Sequence, residues 1–129
     1  MSNNTVERTE GSHVVSLKAD PTVAIPKGAG IVINADYQAT IQTDQAEFIQ
    51  GVALQAHASG VYDCVPVLFS GPVIRVTIGT GGVTYGEYVS GDATTPGEWI
   101  VDTDDPAGFA LESASDGEEA DVVYVGDAY

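Results

Sequence analysis

The sequence predicts an all-β protein whose body contains two similar β-units. The body of the 129-residue chain is dense in Val, Ile, Thr, Tyr and Gly, a composition typical of short strands and tight turns. Turn residues recur about every 8–12 positions, the spacing typical of a β-sandwich or β-barrel. A segment of the first half also reappears in the second. The length indicates one domain with a core of its own.

The elements follow in order along the chain. Residues 1–13 are polar, lack an apolar period and are expected to form a flexible arm, with a single barrel-like domain over 14–129. Helix is expected only as a short turn at 44–47, and Pro66 indicates an edge strand or a bulge. The clearest strand is 74–78, where apolar residues alternate with Arg75 and Thr77. Strands are expected at 14–17, 30–34, 39–42, 48–54, 65–69, 74–78, 85–90, 98–101, 109–111 and 121–125.

An internal echo links residues 28–71 to residues 86–126. The segment Gly51–Ala56 matches Gly108–Ser113 at an offset of 57 residues. The same offset aligns two pairs of valines, Val32 with Val89 and Val65 with Val122. Two copies are too few for a solenoid, so we expect two β-units that close on a shared core.

The charge is strongly negative and unevenly divided. Nineteen acids face four bases, for a net charge of −15. Such a surface repels phosphate backbones and anionic lipids, so no nucleic-acid or membrane partner is expected. The acidity fits either solubility or a high-salt, halophilic habitat. Residues 76–129 hold twelve acids and no base, so this half is expected to face solvent, and the arm and first half to meet a partner.

The sequence contains no convergent set of catalytic residues, and an enzyme is not expected. His13 lies in the arm and His57 in a turn, neither beside an identified nucleophile or acid. Residues 79–82 lack the Lys-Ser/Thr pair of a phosphate loop and are expected to form a hairpin turn. The single cysteine, Cys64, allows no intrachain disulfide, and it is expected to be a small buried side chain.

Three aspartates form a weak candidate for a metal site. Hard cations such as Ca²⁺ bind clustered oxygen ligands, and such a cluster is offered by Asp102, Asp104 and Asp105. The glycine and glutamate that a calcium-binding EF-hand loop needs are replaced by Ala107 and Ser113. An acidic turn without a metal is therefore the favoured interpretation, and no cofactor is expected.

Exposed aromatic side chains leave a second functional class open. Trp99 is expected in the core, whereas the tyrosines could stack on sugars or fill an interface. The alternative function is therefore a sugar-binding or cell-surface β-sandwich module. The aromatic candidates are Tyr37, Tyr62, Tyr85, Tyr88, Trp99 and Tyr129.

Several short motifs resemble the capsid decoration, or cement, proteins of tailed bacteriophages and related archaeal viruses. They are the Gly-Val-Ala-Leu strand at 51–54, the small-residue turn at 56–60 and the Val-rich strand at 65–71. The Ile-Pro-Lys-Gly segment at 25–28 and the C-terminal echo at 108–126 fit the same pattern. The resemblance spans residues 14–126 and offers no catalytic residues.

The resemblance implies a compact β-barrel or β-tulip that sits on the capsid exterior. The implied partners are the major capsid protein and other copies of the chain, as a homotrimer that clamps neighbouring capsid subunits. Capsid contacts are expected from the arm and from Val14, Val15, Leu17 and Lys18, because an apolar strand can add to a neighbour's sheet edge. The polar N-terminus carries no recognisable secretion signal, so synthesis in the host cytoplasm is expected.

Overall fold

Every regular element of the protein is a β-strand in the computed structural model, which describes residues 13–70 and 73–125. The predicted all-β class is confirmed, and residues 44–47 form only a turn. No helix capable of spanning a bilayer occurs in the described ranges. The strands are β1 His13–Ala19, β2 Gly30–Ala35, β3 Gln38–Ile41, β4 Gly51–Ala53, β5 Cys64–Ser70, β6 Ile74–Ile78, β7 Tyr88–Gly91, β8 Glu98–Val101, β9 Gly108–Ala110 and β10 Glu119–Tyr124.

The ten strands close into two barrels with the same connectivity. The first barrel has the order β1-β3-β2-β4-β5, and the second has the order β10-β6-β8-β7-β9. In both barrels the first strand pairs parallel to the third and antiparallel to the fifth. The two similar β-units are therefore confirmed. Each unit closes on itself, because its fifth strand returns beside its first.

The strand registers define which residues are equivalent in the two barrels. Ala53 pairs with Val67 in the first barrel, and Ala110 pairs with Val122 in the second. The offset of 57 therefore holds from Gly51 to Ala53 but not beyond. The β4–β5 connection has ten residues (54–63) and the β9–β10 connection has eight (111–118), which shifts the register by two.

Two of the sequence-based equivalences are consequently wrong. Val65 corresponds to Ala120, not to Val122, because each pairs with the matching residue of the barrel's first strand. Val89 corresponds to Ile31, not to Val32, because each pairs with the first glycine of the neighbouring strand. A fixed offset fails wherever the connecting loops differ in length.

The predicted shared core is only partly correct, because each barrel has its own apolar interior. The first barrel encloses a cluster that includes Leu17, Ile31 and Val67. The second encloses a cluster around Trp99, which is fully buried as expected. The two interiors meet where Val52 of the first barrel packs against the second barrel's cluster.

The two barrels touch through backbone as well as side chains. The indole N–H of Trp99 donates to the carbonyl oxygen of Gly28 over 2.8 Å. A Cβ added at Gly28 would lie 3.1 Å from the carbonyl oxygen of Gly97, and one added at Gly97 would lie 3.0 Å from the Cβ of Pro26. These contacts leave almost no room for a side chain, so glycine is required at both positions.

A glutamine from the first barrel fastens the same junction. The Gln45 side chain donates to the carbonyl oxygen of Gly91 over 2.8 Å and to Asp102 over 3.0 Å. Its amide oxygen accepts from the backbone N–H of Ala93 over 2.9 Å. These hydrogen bonds fix how the second barrel is oriented on the first.

Two local predictions are corrected by the topology. The glycine-rich segment 79–82 turns through a hydrogen bond from Gly82 to Gly79, but β6 and β7 are not paired, because β8 lies between them. Pro66 lies in β5, which is flanked by β1 and β4 and is not an edge. Its carbonyl oxygen accepts the backbone N–H of Leu54, which lies just beyond the end of β4. The N–H that proline lacks would point the same way, so its absence removes no hydrogen bond between β4 and β5.

Gly108 offers a direct test of the barrel closure. A Cβ at this position would lie against the backbone carbonyl of Val123 on the paired strand. Gly108→Ala is expected to lower the free energy of unfolding by roughly 2 to 3 kcal/mol, because overpacking against backbone cannot relax cheaply. Urea unfolding of both proteins measures the difference.

Gly117→Ala is the matched control. Gly117 has φ of +89° and open space around its Cβ position, so only the left-handed backbone penalty of about 1 kcal/mol is expected. Equal losses in the two variants would contradict the close approach at Gly108.

Candidate functional site

The four residues predicted to contact a capsid all lie on β1, but the fold separates their roles. Leu17 is 6% exposed and belongs to the first barrel's interior. Val14 and Val15 are 53% and 46% exposed, and Lys18 is also exposed. Leu17 therefore stabilises the barrel, and the other three side chains remain available to a partner.

Lys18 is the centre of an outward-facing row across three strands. It stands opposite Gln38 of β3 and Cys64 of β5. A hollow of about 420 Å³ lies there, lined in part by Tyr62. We call Val14, Lys18, Gln38, Tyr62 and Cys64 the β1 surface. Asp63 lines the same hollow, so the region combines one cation and one acid with apolar and aromatic side chains, a mixture that suits protein docking.

Cys64 was expected to be buried, and that expectation is wrong. The thiol is exposed because Val65 and Val67 occupy the inward positions of β5. Side chains alternate along a strand, so Cys64 points outward with Lys18. Sequence alone could not assign the face, since Cys64 precedes the apolar run.

The exposed tyrosines are divided between the barrels. Tyr37 and Tyr62 are 79% and 88% exposed and belong to the first barrel. Tyr85 and Tyr88 are 71% and 55% exposed and belong to the second. Tyr129 lies outside the described residues. Each barrel therefore exposes two of these tyrosines to solvent.

The candidate metal aspartates form a capped turn. Asp102 is buried, and its Oδ1 accepts the backbone N–H groups of Asp104 and Asp105 over 3.1 and 2.9 Å. Its Oδ2 accepts from Gln45. No group of three or more His, Cys, Asp or Glu side chains is placed to hold a metal ion within residues 13–70 and 73–125. Asp102 therefore serves the turn and the barrel junction.

The two histidines lie on separate elements of the first barrel. His57 is half-buried, and its backbone bridges to Ile25. Neither of its ring nitrogens has a hydrogen-bond partner in the described part of the chain, whereas a catalytic histidine is oriented by such a partner. His13 was placed in the arm, but it begins β1.

A cluster of carboxylates on the second barrel surrounds Arg75. Its guanidinium contacts Asp121 at 3.0 Å, Glu112 at 3.1 Å and Glu119 at 3.2 Å. These hydrogen bonds, from Asp121 first and then Glu112, raise the pKa of Arg75 above its usual range. Arg75 is the only base among residues 73–125, which hold eleven acids.

A buried carboxylate orders the turn after β1. Asp20 accepts from the hydroxyl and the backbone N–H of Thr22 over 2.7 and 2.9 Å, and from Asn34 over 3.2 Å. The bonds from Thr22 are the largest cause that lowers the pKa of Asp20 from its ordinary value of 3.8. This turn supports the end of β1, next to Lys18.

Comparison with known proteins identifies a shared fold. No protein-family model matches the sequence, and no curated protein matches it. The crystal structure of the N base of the head fiber protein gp8.5 of bacteriophage phi29 superposes with a TM-score of 0.64 at 15% sequence identity. The match covers 91% of this chain and all of that one, so the two-barrel fold is common to both.

Arg75→Gln tests whether the second barrel needs its cation. Without it, three carboxylates face one another, so the melting temperature at low salt is expected to fall. The deficit should shrink as salt rises, because ions screen the repulsion. Melting curves at low and molar salt measure both effects.

Lys18→Gln is the charge-matched control. Lys18 is exposed on the first barrel and forms no ion pair within the described residues. A salt-dependent deficit as large as that of Arg75→Gln would show that net charge, and not the cluster, controls stability.

Asp20→Asn tests the turn through its pH dependence. Because folding lowers the pKa of Asp20, its contribution is complete above the ordinary value of 3.8 and is lost as pH falls through the folded-state value. The variant should be about 1 kcal/mol less stable at neutral pH, and the difference should vanish in acid. Urea unfolding across this range measures it.

Asp36→Asn is the control for Asp20. Asp36 is exposed, and its side chain forms no hydrogen bond in the described part of the chain. The free energy of unfolding of Asp36→Asn should equal that of the natural protein at every pH. If Asp20→Asn were less stable than the natural protein by the same amount at every pH, the ionised carboxylate of Asp20 would not be the cause.

Proposed function

We propose that this protein is a virion structural protein that binds the outer surface of a capsid shell. It stabilises the shell by clamping neighbouring major capsid subunits, and it acts by docking without catalysing a reaction. The observation that carries the proposal is the fold shared with the base of a phage head fiber, over the whole of that base. The base of a head fiber is a capsid-associated structure, and this chain shares its fold.

The division of charge supports a polarised orientation on the shell. The described residues of the first barrel hold five acids and two bases, whereas those of the second hold eleven acids and one base. The second barrel is better suited to water, because dense carboxylates stay hydrated. The first barrel, with Lys18 on its β1 surface, is the better candidate for the capsid side.

Repetition on a lattice supports binding through a modest surface. A weak contact gains avidity when several copies are linked and engage together. We place the contact on the arm, residues 1–13, together with Val14 and Lys18. The arm lies almost wholly outside the described residues, and its proposed role is to add a strand to a capsid subunit.

Binding to capsids tests the proposal directly. Expanded shells of the major capsid protein encoded with this chain are assembled without it, mixed with the purified protein and imaged by electron microscopy. Added density on the outer surface is expected at local three-fold positions. Deletion of residues 1–12, which leaves β1 whole, or the double change Val14→Asp and Lys18→Glu, should weaken binding roughly tenfold or more.

Tyr85→Ser is the control, since Tyr85 is 71% exposed on the second barrel. It should bind capsids like the natural protein. If the folded protein adds no density to the shells, the proposal is refuted. A glycan that binds the protein at its exposed tyrosines would then favour the sugar-binding module. Full binding by both first-barrel variants would place the contact elsewhere.

A further inference from the structure

We infer that the hollow beside Lys18 on the first barrel binds a neutral saccharide. Its volume is about 420 Å³, which lies within the roughly 300–1,000 Å³ of small-molecule sites. It is lined by side chains of β1 and β3 and by the residues at the start of β5. The inference goes beyond capsid docking and is tested on the free protein, so the two proposals can fail separately.

One wall of the hollow is formed by two residues that have no counterpart in the second barrel. The connection between β4 and β5 is two residues longer than the connection between β9 and β10. Gly60 is equivalent to Gly117, because both have positive φ and each follows a bridged residue by three positions. The last residues of the two connections, Asp63 and Glu118, are also equivalent, because each accepts from the barrel's first strand. The additional residues are therefore Val61 and Tyr62.

The insertion exposes both of its large side chains. Val61 is 44% exposed and Tyr62 is 88% exposed, although exposing apolar carbon to water is unfavourable. Neither side chain is needed to close a barrel, because the second barrel closes without them. Tyr62 lines the hollow, so the insertion supplies an aromatic wall to the hollow and not a support for the fold.

The rest of the lining carries polar groups of opposite character. Lys18 stands opposite Gln38 of β3 and Cys64 of β5, and it forms no ion pair within the described residues. Asp63 accepts the backbone N–H of Cys64 over 2.7 Å, which holds its carboxylate at the hollow. The lining therefore offers an ammonium that donates, a carboxylate that accepts and an amide that does both.

The charge of the lining disfavours ionic ligands. One base, Lys18, and one acid, Asp63, line the hollow, so its own charge is zero in a chain of net charge −15. An anion would be repelled by Asp63 and by the chain as a whole, and a cation would be repelled by the ammonium of Lys18. The lining therefore fits an uncharged ligand.

An apolar ligand and an extended peptide also fit the hollow poorly. An apolar ligand would cover Lys18, Gln38 and Asp63 without replacing their hydrogen bonds to water, which lowers its affinity. An extended peptide gains affinity by adding to a free strand edge. At Lys18, β1 is paired on both sides, with β3 and with β5, so the hollow offers no free edge.

A neutral saccharide matches both parts of the lining. Each of its hydroxyl groups can donate one hydrogen bond and accept two, so hydroxyls can pair with Lys18, Gln38 and Asp63. The C–H face of a sugar ring is apolar and can pack on the ring of Tyr62, which has an apolar body and a polar end. One aromatic wall with a few convergent polar groups is typical of small-ligand sites.

The saccharide site and the proposed capsid contact lie towards opposite ends of β1. Val14 stands opposite Leu68, and Lys18 stands opposite Cys64. Four residues of extended strand separate them by about 13 Å, and the arm precedes β1 at the Val14 end. Lys18 belongs to both sites, so changes at Tyr62 and in the arm can separate the two activities.

Cys64 provides a site-specific test, because its exposed thiol lines the hollow and is the only thiol of the chain. Neutral oligosaccharides of glucose, galactose, mannose and N-acetylglucosamine are screened on an array. Each binder is then titrated while iodoacetamide alkylates the thiol. At least one should bind with a Kd of about 1 mM or tighter. At about ten times its Kd it should slow alkylation about tenfold, by mass action.

Tyr62→Ser removes the aromatic wall of the hollow. It should weaken saccharide binding roughly tenfold and reduce the protection of Cys64 accordingly. The melting temperature should stay that of the natural protein, because the side chain is 88% exposed. Molar salt should leave the Kd of the natural protein unchanged, because a neutral ligand has no charge for ions to screen.

Tyr85→Ser is the matched control, because Tyr85 is 71% exposed on the second barrel and does not line the hollow. This variant should bind the saccharide and protect Cys64 like the natural protein. Deletion of residues 1–12 should weaken capsid binding and leave saccharide binding intact, which keeps the failure of one proposal distinct from the failure of the other.

Four results would overturn the inference. The first is that no saccharide of the array binds the folded protein, and the second is that a saccharide binds without protecting Cys64. The third is that Tyr62→Ser binds as tightly as the natural protein, or that Tyr85→Ser loses binding to the same extent. The fourth is a Kd that rises steeply with salt, because charge and not stacking with hydroxyl contacts would then hold the ligand.

Discussion

The architecture depends on the close backbone approach at the barrel junction. Gly28 and Gly97 approach so closely that a side chain at either would be crowded, and both have positive φ; the Trp99 indole N–H donates to the carbonyl oxygen of Gly28 at the same point. A buried indole N–H without a hydrogen-bond partner would lower the stability of the fold. The hydrogen bond to Gly28 therefore stabilises the packing of the second barrel on the first. The hydrogen bonds of Gln45 with Gly91, Ala93 and Asp102 hold the second barrel in the same docked orientation.

The repeat gives the same barrel two different environments. The registers of the two barrels make Tyr37 equivalent to Gly97 and Leu111 equivalent to Leu54. Gly97 and Leu54 lie at the junction, whereas Tyr37 and Leu111 lie away from it and are exposed. Duplication alone does not require such a change.

Much of the fold could be predicted because strand patterns are local. The alternation at 74–78 and the bounds of 98–101 agree with β6 and β8, and the echo at Gly51 and Gly108 marks equivalent strands. Cys64 and the capsid candidates on β1 were less predictable. Which face of a strand is buried depends on register, and a loop shorter by two residues moved the equivalence of Val65 to Ala120.

The sequence by itself determined the all-β class, the internal duplication, the buried tryptophan and the acid-rich second half, because composition and short-range periodicity carry that information. Only the tertiary structure decided that each unit closes its own barrel, that the barrels meet at Gly28 and Gly97, and that Tyr37 and Leu111 are exposed. Those features depend on pairing between strands distant in the chain. No local pattern specifies which strands meet or which faces they leave uncovered.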